Sequence, residues 1–249
     1  MKQVYNITTY GERMSEVYDQ WSGVPQNTEA IVAGLLRLAG PGPILELGIG
    51  TGRIALPLAQ RGLRVHGIDA SPAMVERLRA KLGGEQIPVT LGNFADVAVE
   101  GRFTLIFVVF NTFFGLLSQD DQVRCFRGVA QHLAEDGVFV LEAFVPDLTR
   151  FDRGQRVGAA EVGLDGVRLE VSRHDPVQQQ VMTQQVVLSE QGLRFYPVQA
   201  RYAWPSELDL MARLAGLQLH HRWAGWAEEP FTADSASHVS VYGWPMSQP

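Results

Sequence analysis

The stretch that decides the fold is Glu46-Leu47-Gly48-Ile49-Gly50-Thr51-Gly52-Arg53. It follows a short apolar run, Ile44-Leu45-Glu46-Leu47, that reads as a strand, and it opens Arg53 to Gln60, which reads as a helix. Glycines are needed where a backbone turns sharply or must touch a ligand. At the carboxyl edge of a parallel sheet, such a turn is where cofactors bind. The dinucleotide fingerprint wants glycine at the first, third and sixth positions. Counted from Gly48, the sixth position is Arg53, so that fingerprint fails. Glycine stands instead at the first, third and fifth positions, with an acid two residues upstream. Glu46 would repel a pyrophosphate, whereas a cofactor with a positive ammonium and no phosphate would welcome it. A glycine turn that binds nothing is the alternative.

Outward from this turn, strand and helix alternate. Thr28 to Ala39 has Ile31, Leu35 and Leu38 at helical spacing, and Gly40-Pro41-Gly42-Pro43 stops it. Arg64 to Ile68 is a strand. Ser71-Pro72 opens a helix with a serine cap and proline at its first position. Pro88 to Leu91 and the apolar runs Phe103 to Phe110 and Val138 to Val145 read as further strands, with a helix over Asp120 to Ala134. Tyr10 to Gln20 reads as a short helix. The expectation is an α/β fold: a Rossmann-like, mostly parallel seven-stranded sheet with helices on both faces.

The period then changes. Val167, Leu169 and Val171 alternate with polar residues, Val181 to Leu188 and Leu193 to Tyr202 are extended, and turns fall at Asp165-Gly166 and Gln191-Gly192. This predicts an inserted antiparallel β lobe over residues 150–202, between core segments 1–149 and 203–249. A helix over Pro205 to Ala215 and strands over Leu217 to Trp223 and His238 to Trp244 close the core.

The chain has 249 residues, 46% hydrophobic and 19% charged, which is globular composition. Net charge is -6 and there is no basic stripe, which argues against a nucleic-acid partner. No apolar run is long enough to span a bilayer. Cys125 is the single cysteine, so no intramolecular disulfide forms, and the N-terminus lacks a signal-peptide pattern. The cytoplasm is the expected compartment.

Glu46 to Arg53 resembles the first motif of class I S-adenosylmethionine-dependent methyltransferases. That resemblance implies S-adenosylmethionine as cofactor, with Glu46, Gly48, Gly50 and Gly52 at its amino-acid end. Asp69, 17 residues after Gly52, stands where the family has an acid for the ribose hydroxyls, followed by Ala70. The resemblance also places Met74, Asn93, Phe94 and Phe110 around the cofactor. Asn93 stands where many members carry aspartate; its carbonyl oxygen can still accept. Tyr18-Asp19-Gln20-Trp21 resembles the tyrosine-aspartate pattern that covers the cofactor in small-molecule members, with Tyr18 and Trp21 as contacts.

At the end of the fourth strand, Asn111, Phe113 and Phe114 read as acceptor contacts, with Phe110 completing an aromatic wall. The two prolines that often follow the acid or asparagine in base- and amide-nitrogen methyltransferases are missing, which argues for a small-molecule acceptor. The bacterial sugar N-methyltransferases have a comparable β lobe, used for substrate cover and dimer contact, so a homodimer is implied here.

Methyl transfer needs no metal or covalent nucleophile from the protein, and the histidines and cysteine have no metal-ligand spacing. The acceptor must be held in line and water excluded. The candidate bases are His174 and Tyr196; of His220 and His221, at most one could face a site. The expected reaction is transfer of methyl to an oxygen or nitrogen of a small molecule. Two readings compete with it: a nicotinamide-dependent oxidoreductase, and a ligand-binding protein of the same fold without turnover.

Overall fold

In the computed structural model, residues 4–21 and 25–245 are described. Short strands with no polar alternation must be covered on both faces, and β1 (Ile44–Leu47) is buried along its whole length. It pairs in parallel with β2 (Val65–Asp69) on one side and β4 (Phe103–Val108) on the other. β3 (Val89–Leu91) extends the sheet past β2, and β5 (Leu133–Phe144) lies beside β4, both parallel. β10 (Gln218–Trp223) and β11 (Ser237–Gly243) complete it, with β11 antiparallel to both β5 and β10. The order β10-β11-β5-β4-β1-β2-β3 is the mostly parallel seven-stranded sheet expected from sequence.

The helices are α3 (Pro25–Leu38), α4 (Ala55–Gln60), α5 (Pro72–Arg79), α6 (Gln119–His132) and α7 (Pro205–Leu214). The sheet separates two apolar cores, one on each face, which the helices cover. Phe126, Phe139 and Met211 mark one; Ile31, Phe107 and Trp226 mark the other. Ser71 caps α5 by accepting the Met74 N–H.

Residues 155–201 form a separate antiparallel sheet, β6 (Gln155–Val162), β7 (Gly166–Asp175), β8 (Gln180–Ser189) and β9 (Gly192–Arg201), in that order. A buried polar knot fastens its last strand to the core. The Arg201 guanidinium donates to Gln122 of α6 at 2.5 Å, to Glu207 of α7 at 2.7 Å and to Gln179 at 2.9 Å.

The N-terminal segment differs from the single helix expected over Tyr10 to Gln20. It is two short helices, α1 (Thr9–Met14) and α2 (Tyr18–Trp21), joined by a tight bend. Met14, Tyr18 and Trp21 turn inward against Met74 and Tyr196. α1 lies against β9 and α5, so this segment bridges sheet and lobe.

Candidate active site

The glycine turn sits at the carboxyl end of β1, and Gly48, Gly50 and Gly52 all have positive φ. At Gly48, with φ of 75°, a Cβ would stand 2.5 Å from Thr112 Cγ2. Gly52 meets Leu78 and Leu56 so closely that it packs α4 against α5. No branched residue fits either place.

Two carboxylates face this turn. The Glu46 carboxylate accepts the Ala55 N–H at the start of α4, while its Oε2 is buried without a hydrogen-bond partner among the described residues. Burial first, and the Asp69 charge second, push the Glu46 carboxyl well above its ordinary range. Asp69 Oδ2 accepts the Gly50 N–H at 2.7 Å and Oδ1 accepts the Ser71 N–H at 2.8 Å. Burial raises its pKa despite those bonds. Two crowded, half-dehydrated carboxylates are unfavourable unless a cation or strong donors complete the site.

The N-terminal segment latches onto the turn. Asp19 Oδ1 accepts the Thr51 hydroxyl at 2.6 Å, and its Oδ2 pairs with Lys81 at 2.8 Å. Lys81 also donates to the Thr51 carbonyl at 2.9 Å. Tyr10 is half-buried; burial of its hydroxyl, then the neighbouring Tyr18, Tyr5 and Asp69, keep it protonated far above neutral pH.

Of the residues singled out in the sequence, Tyr18, Trp21, Met74 and Tyr196 meet in one apolar cluster. The Trp21 and Tyr196 rings pack edge to face at 4.8 Å. Ala70 follows Asp69 and is half-buried. Asn93 Oδ1 accepts the Ala95 N–H at 3.0 Å, and Phe94 is half-buried near Gly48. Phe110 is half-buried with the Arg53 guanidinium 4.1 Å over its ring. Asn111 is exposed, and its Oδ1 accepts the Phe144 N–H at 2.6 Å.

Phe113 and Phe114 differ from the aromatic wall expected of them. A single 3-10 turn, Thr112–Gly115, directs both rings into the core, where they pack against Phe126 at 5.5 Å and Phe144 at 4.9 Å and are fully buried. Only Phe110 of that trio keeps an exposed face.

His174 and Tyr196 share one face of the lobe sheet. Positions 168, 170, 172 and 174 of β7 alternate onto that face, and Glu170, Gln185 and Tyr196 lie in register across three strands. The face mixes polar and apolar side chains and carries two more buried atoms without a hydrogen-bond partner among the described residues, Arg168 Nε and Gln185 Oε1. His174 Nε2 is 3.0 Å from the Tyr202 hydroxyl, with its ring stacked on Phe151. His220 bonds the Trp244 carbonyl on edge strand β10, and His221 stacks on Trp223.

Sequence reading passed over Tyr10, Thr51, Lys81 and Glu142. Glu142 had a signal, since it stands at the carboxyl end of a parallel strand beside the glycine turn's neighbour β4. Lys81 had none: its reach to Thr51 depends on how α5 ends.

The site fits the cofactor implied by the sequence. Among the described residues Glu46 Oε2 lacks a donor where an ammonium would supply one, and the Asp69 carboxylate, which accepts the N–H groups of Gly50, Ser71 and Ala70, still has acceptor capacity for a hydroxyl. Among the described residues no cluster of side chains suits a metal ion, and no helix is long and apolar enough to cross a membrane.

Residues 44–137 match the profile of a methyltransferase domain. The structure of the CcbJ methyltransferase from Streptomyces caelestis is 41% identical, with a TM-score of 0.91 over 97% of this chain and 100% of that one. The cypemycin N-terminal methyltransferase of a Streptomyces species is 29% identical over 94% of this chain and 97% of its own. The S-adenosylmethionine-bound CalS10, an amino pentose methyltransferase from Micromonospora echinaspora, has the same fold at 19% identity, with a TM-score of 0.70 over 97% and 99% of the two chains. These findings favour neither an oxidoreductase nor a non-catalytic protein.

Proposed function

The chain belongs to the class I S-adenosylmethionine-dependent methyltransferases of small-molecule type, and from that premise we propose that its acceptor is an amine nitrogen on a small hydroxylated molecule. The acceptor lies between the glycine-rich sheet edge and the inner face of the lobe. The observation that carries this is a pair of unpaired polar atoms on that inner face: among the described residues Gln185 Oε1 lacks a donor and Arg168 Nε–H lacks an acceptor, which a hydroxylated ligand supplies. The names of two relatives, an N-terminal methyltransferase and an amino pentose methyltransferase, point to amine nitrogen as well.

Glu46 holds the cofactor's ammonium and Asp69 its ribose hydroxyls. Ala70, Met74, Asn93 and Phe94 enclose the adenine, with Tyr18 and Trp21 as cover. S-adenosylmethionine, when bound, supplies an electrophilic methyl on its sulfonium. The protein's task is to orient and to exclude water. Asp19, held by Thr51 and Lys81, fixes the cover in place. Phe110 borders the cofactor, and Asn111 beside it forms the edge that the acceptor approaches. Tyr10 keeps its proton, so it offers a hydrogen bond and does not act as a base. A neutral amine carries its own lone pair and needs no base. An alcohol would need one, and the two candidates are poorly suited: His174 is engaged by Tyr202 and Tyr196 is packed on Trp21.

The lobe's outer face is apolar. Val157, Val171, Leu188, Leu193 and Phe195 are each more than a third exposed there. A patch of this kind marks an interface, and a second copy of the chain is its occupant. The cytoplasm is the compartment in which such an enzyme, with one buried free thiol, works.

The test is incubation with methyl-deuterated S-adenosylmethionine and a panel of amino sugars, their O-methylated and N-blocked forms, and short peptides with free N-termini. Deuteromethyl on the free amine of an amino sugar, read by mass spectrometry, is expected. Transfer to an N-blocked sugar's hydroxyl would overturn the nitrogen assignment, and transfer to peptides alone would overturn the acceptor class.

A further inference from the structure

At the carboxyl end of β4 the chain does something costly. Phe110 and Asn111, neither of them glycine, follow one another at φ of 57° and 63°. Positive φ is uncommon outside glycine, and two in succession persist only where the surroundings over-determine them. Here β5 does so from the side. Glu142 Oε2 accepts the Phe110 N–H at 2.9 Å, and the Phe144 N–H donates to Asn111 Oδ1 at 2.6 Å. Two residues of one strand thus clamp two residues of the turn.

The clamped turn abuts the glycine turn. Phe110 carries the Arg53 guanidinium on its ring, and Thr112 fills the space a Cβ at Gly48 would take. The other oxygen of Glu142 reaches elsewhere: Oε1 accepts the Trp226 indole N–H at 3.1 Å. Trp226 is buried against Gly34 of α3, closer than any side chain there would permit. One carboxylate therefore joins the β4 turn to the segment between β10 and β11.

We propose that Glu142 is a positioning residue for methyl transfer: by accepting the Phe110 N–H it holds the Phe110–Asn111 turn in the left-handed form that shapes the cofactor pocket. This rests on the reading that Phe110 borders the cofactor. A carboxylate is suited because it offers acceptors in two directions and no donor. Glutamine at the same place must turn its NH₂ toward one of the two N–H groups, donor against donor.

That mismatch gives a test that a merely structural role would not pass, with S-adenosylhomocysteine as the calorimetric probe. Glu142→Gln is expected to bind it about tenfold more weakly, the scale of one charged hydrogen bond lost beside a buried donor. Adding Trp226→Phe removes the competing indole N–H, so the glutamine oxygen is free to serve Phe110. The double variant is expected to recover to within about threefold of wild type, since one good bond again meets one donor. Unfolding in urea, followed in parallel, reports stability separately. Unchanged affinity in Glu142→Gln overturns the proposal. So does a double variant that binds no better than Glu142→Gln, or affinity loss that merely tracks unfolding. If the wild-type protein does not bind the probe, it is the cofactor reading of the site that fails, and the variants then have nothing to report.

Discussion

Replacing Arg201 by methionine keeps the length of the side chain and removes the guanidinium from the knot that ties the lobe to the core. The ion pair with Glu207 is largely shielded, with 6% and 16% of the two side chains exposed. Three acceptors lose a donor together: Gln122, Gln179 and Glu207. Breaking a buried pair by deleting one partner leaves an uncompensated charge and costs about 3–5 kcal/mol. Glu207 keeps bonds from Gln119 and Gln179, which places the expected loss at the lower end. Urea denaturation followed by circular dichroism reads it. With an m-value of about 3 kcal/mol/M, the midpoint should fall by about 1 M. The pH profile gives a second reading. The Arg201 bond holds the Glu207 carboxyl below its ordinary value of 4.5, so its stabilisation is present above that value and lost as pH falls through the lower folded value. Arg201→Met should flatten that acid limb. Adding Glu207→Leu removes the orphaned charge and should recover part of the loss. A loss below about 1 kcal/mol, or a double variant whose loss equals the sum of the two singles, would refute the account of the knot as a coupled buried network.

Four further outcomes are expected. Gly48→Ala combines left-handed strain with the 2.5 Å approach to Thr112 and should cost about 2–4 kcal/mol together with S-adenosylhomocysteine binding, so a variant with normal melting and normal titration contradicts the geometry. His238 is pushed down to about 4 by burial, so stability is full above its unfolded value of 6.5 and falls by about 3 kcal/mol as pH drops toward 4; His238→Phe should abolish that slope in urea titrations. Glu46, raised well above 4.5 in the free protein by burial and then by Asp69, lowers its stability as pH rises past that value; Glu46→Gln should remove that loss in urea titrations across pH, and an unchanged profile would count against the buried carboxyl as its source. Leu188→Lys with Phe195→Lys should convert a dimer to monomers in sedimentation, while a wild-type monomer would leave the outer face of the lobe without its proposed occupant.

The parallel part of the fold was legible because its strands are buried on both faces. Ile44–Leu47 and Phe103–Val108 show as apolar runs that little else explains, and Ser71-Pro72 announces α5 by its cap chemistry. β7, β8 and β9 showed through alternation and their glycine turns. β6 did not: Gly158-Ala159-Ala160 gives no alternating apolar pattern, and as an edge strand it owes its form to pairing with β7. In the site, glycine spacing and the strand-end acids Glu46 and Asp69 were readable because their chemistry is local. Phe113 and Phe114 misled because one 3-10 turn sends both inward, which periodicity does not reveal. The latch of Asp19 on Thr51 and Lys81, and the grip of Glu142 on Phe110, join residues 30 or more apart, and only the folded chain brings them together.

The most direct test of the account is calorimetric titration of the wild-type chain and of Asp69→Ala with S-adenosylmethionine and S-adenosylhomocysteine. The account predicts saturable binding of both ligands near one per wild-type chain, weakened about tenfold or more in the variant, because Asp69 serves both the ligand and the Gly50 N–H. A folded wild-type protein that binds neither ligand, or a variant that binds both as tightly as wild type, would contradict it.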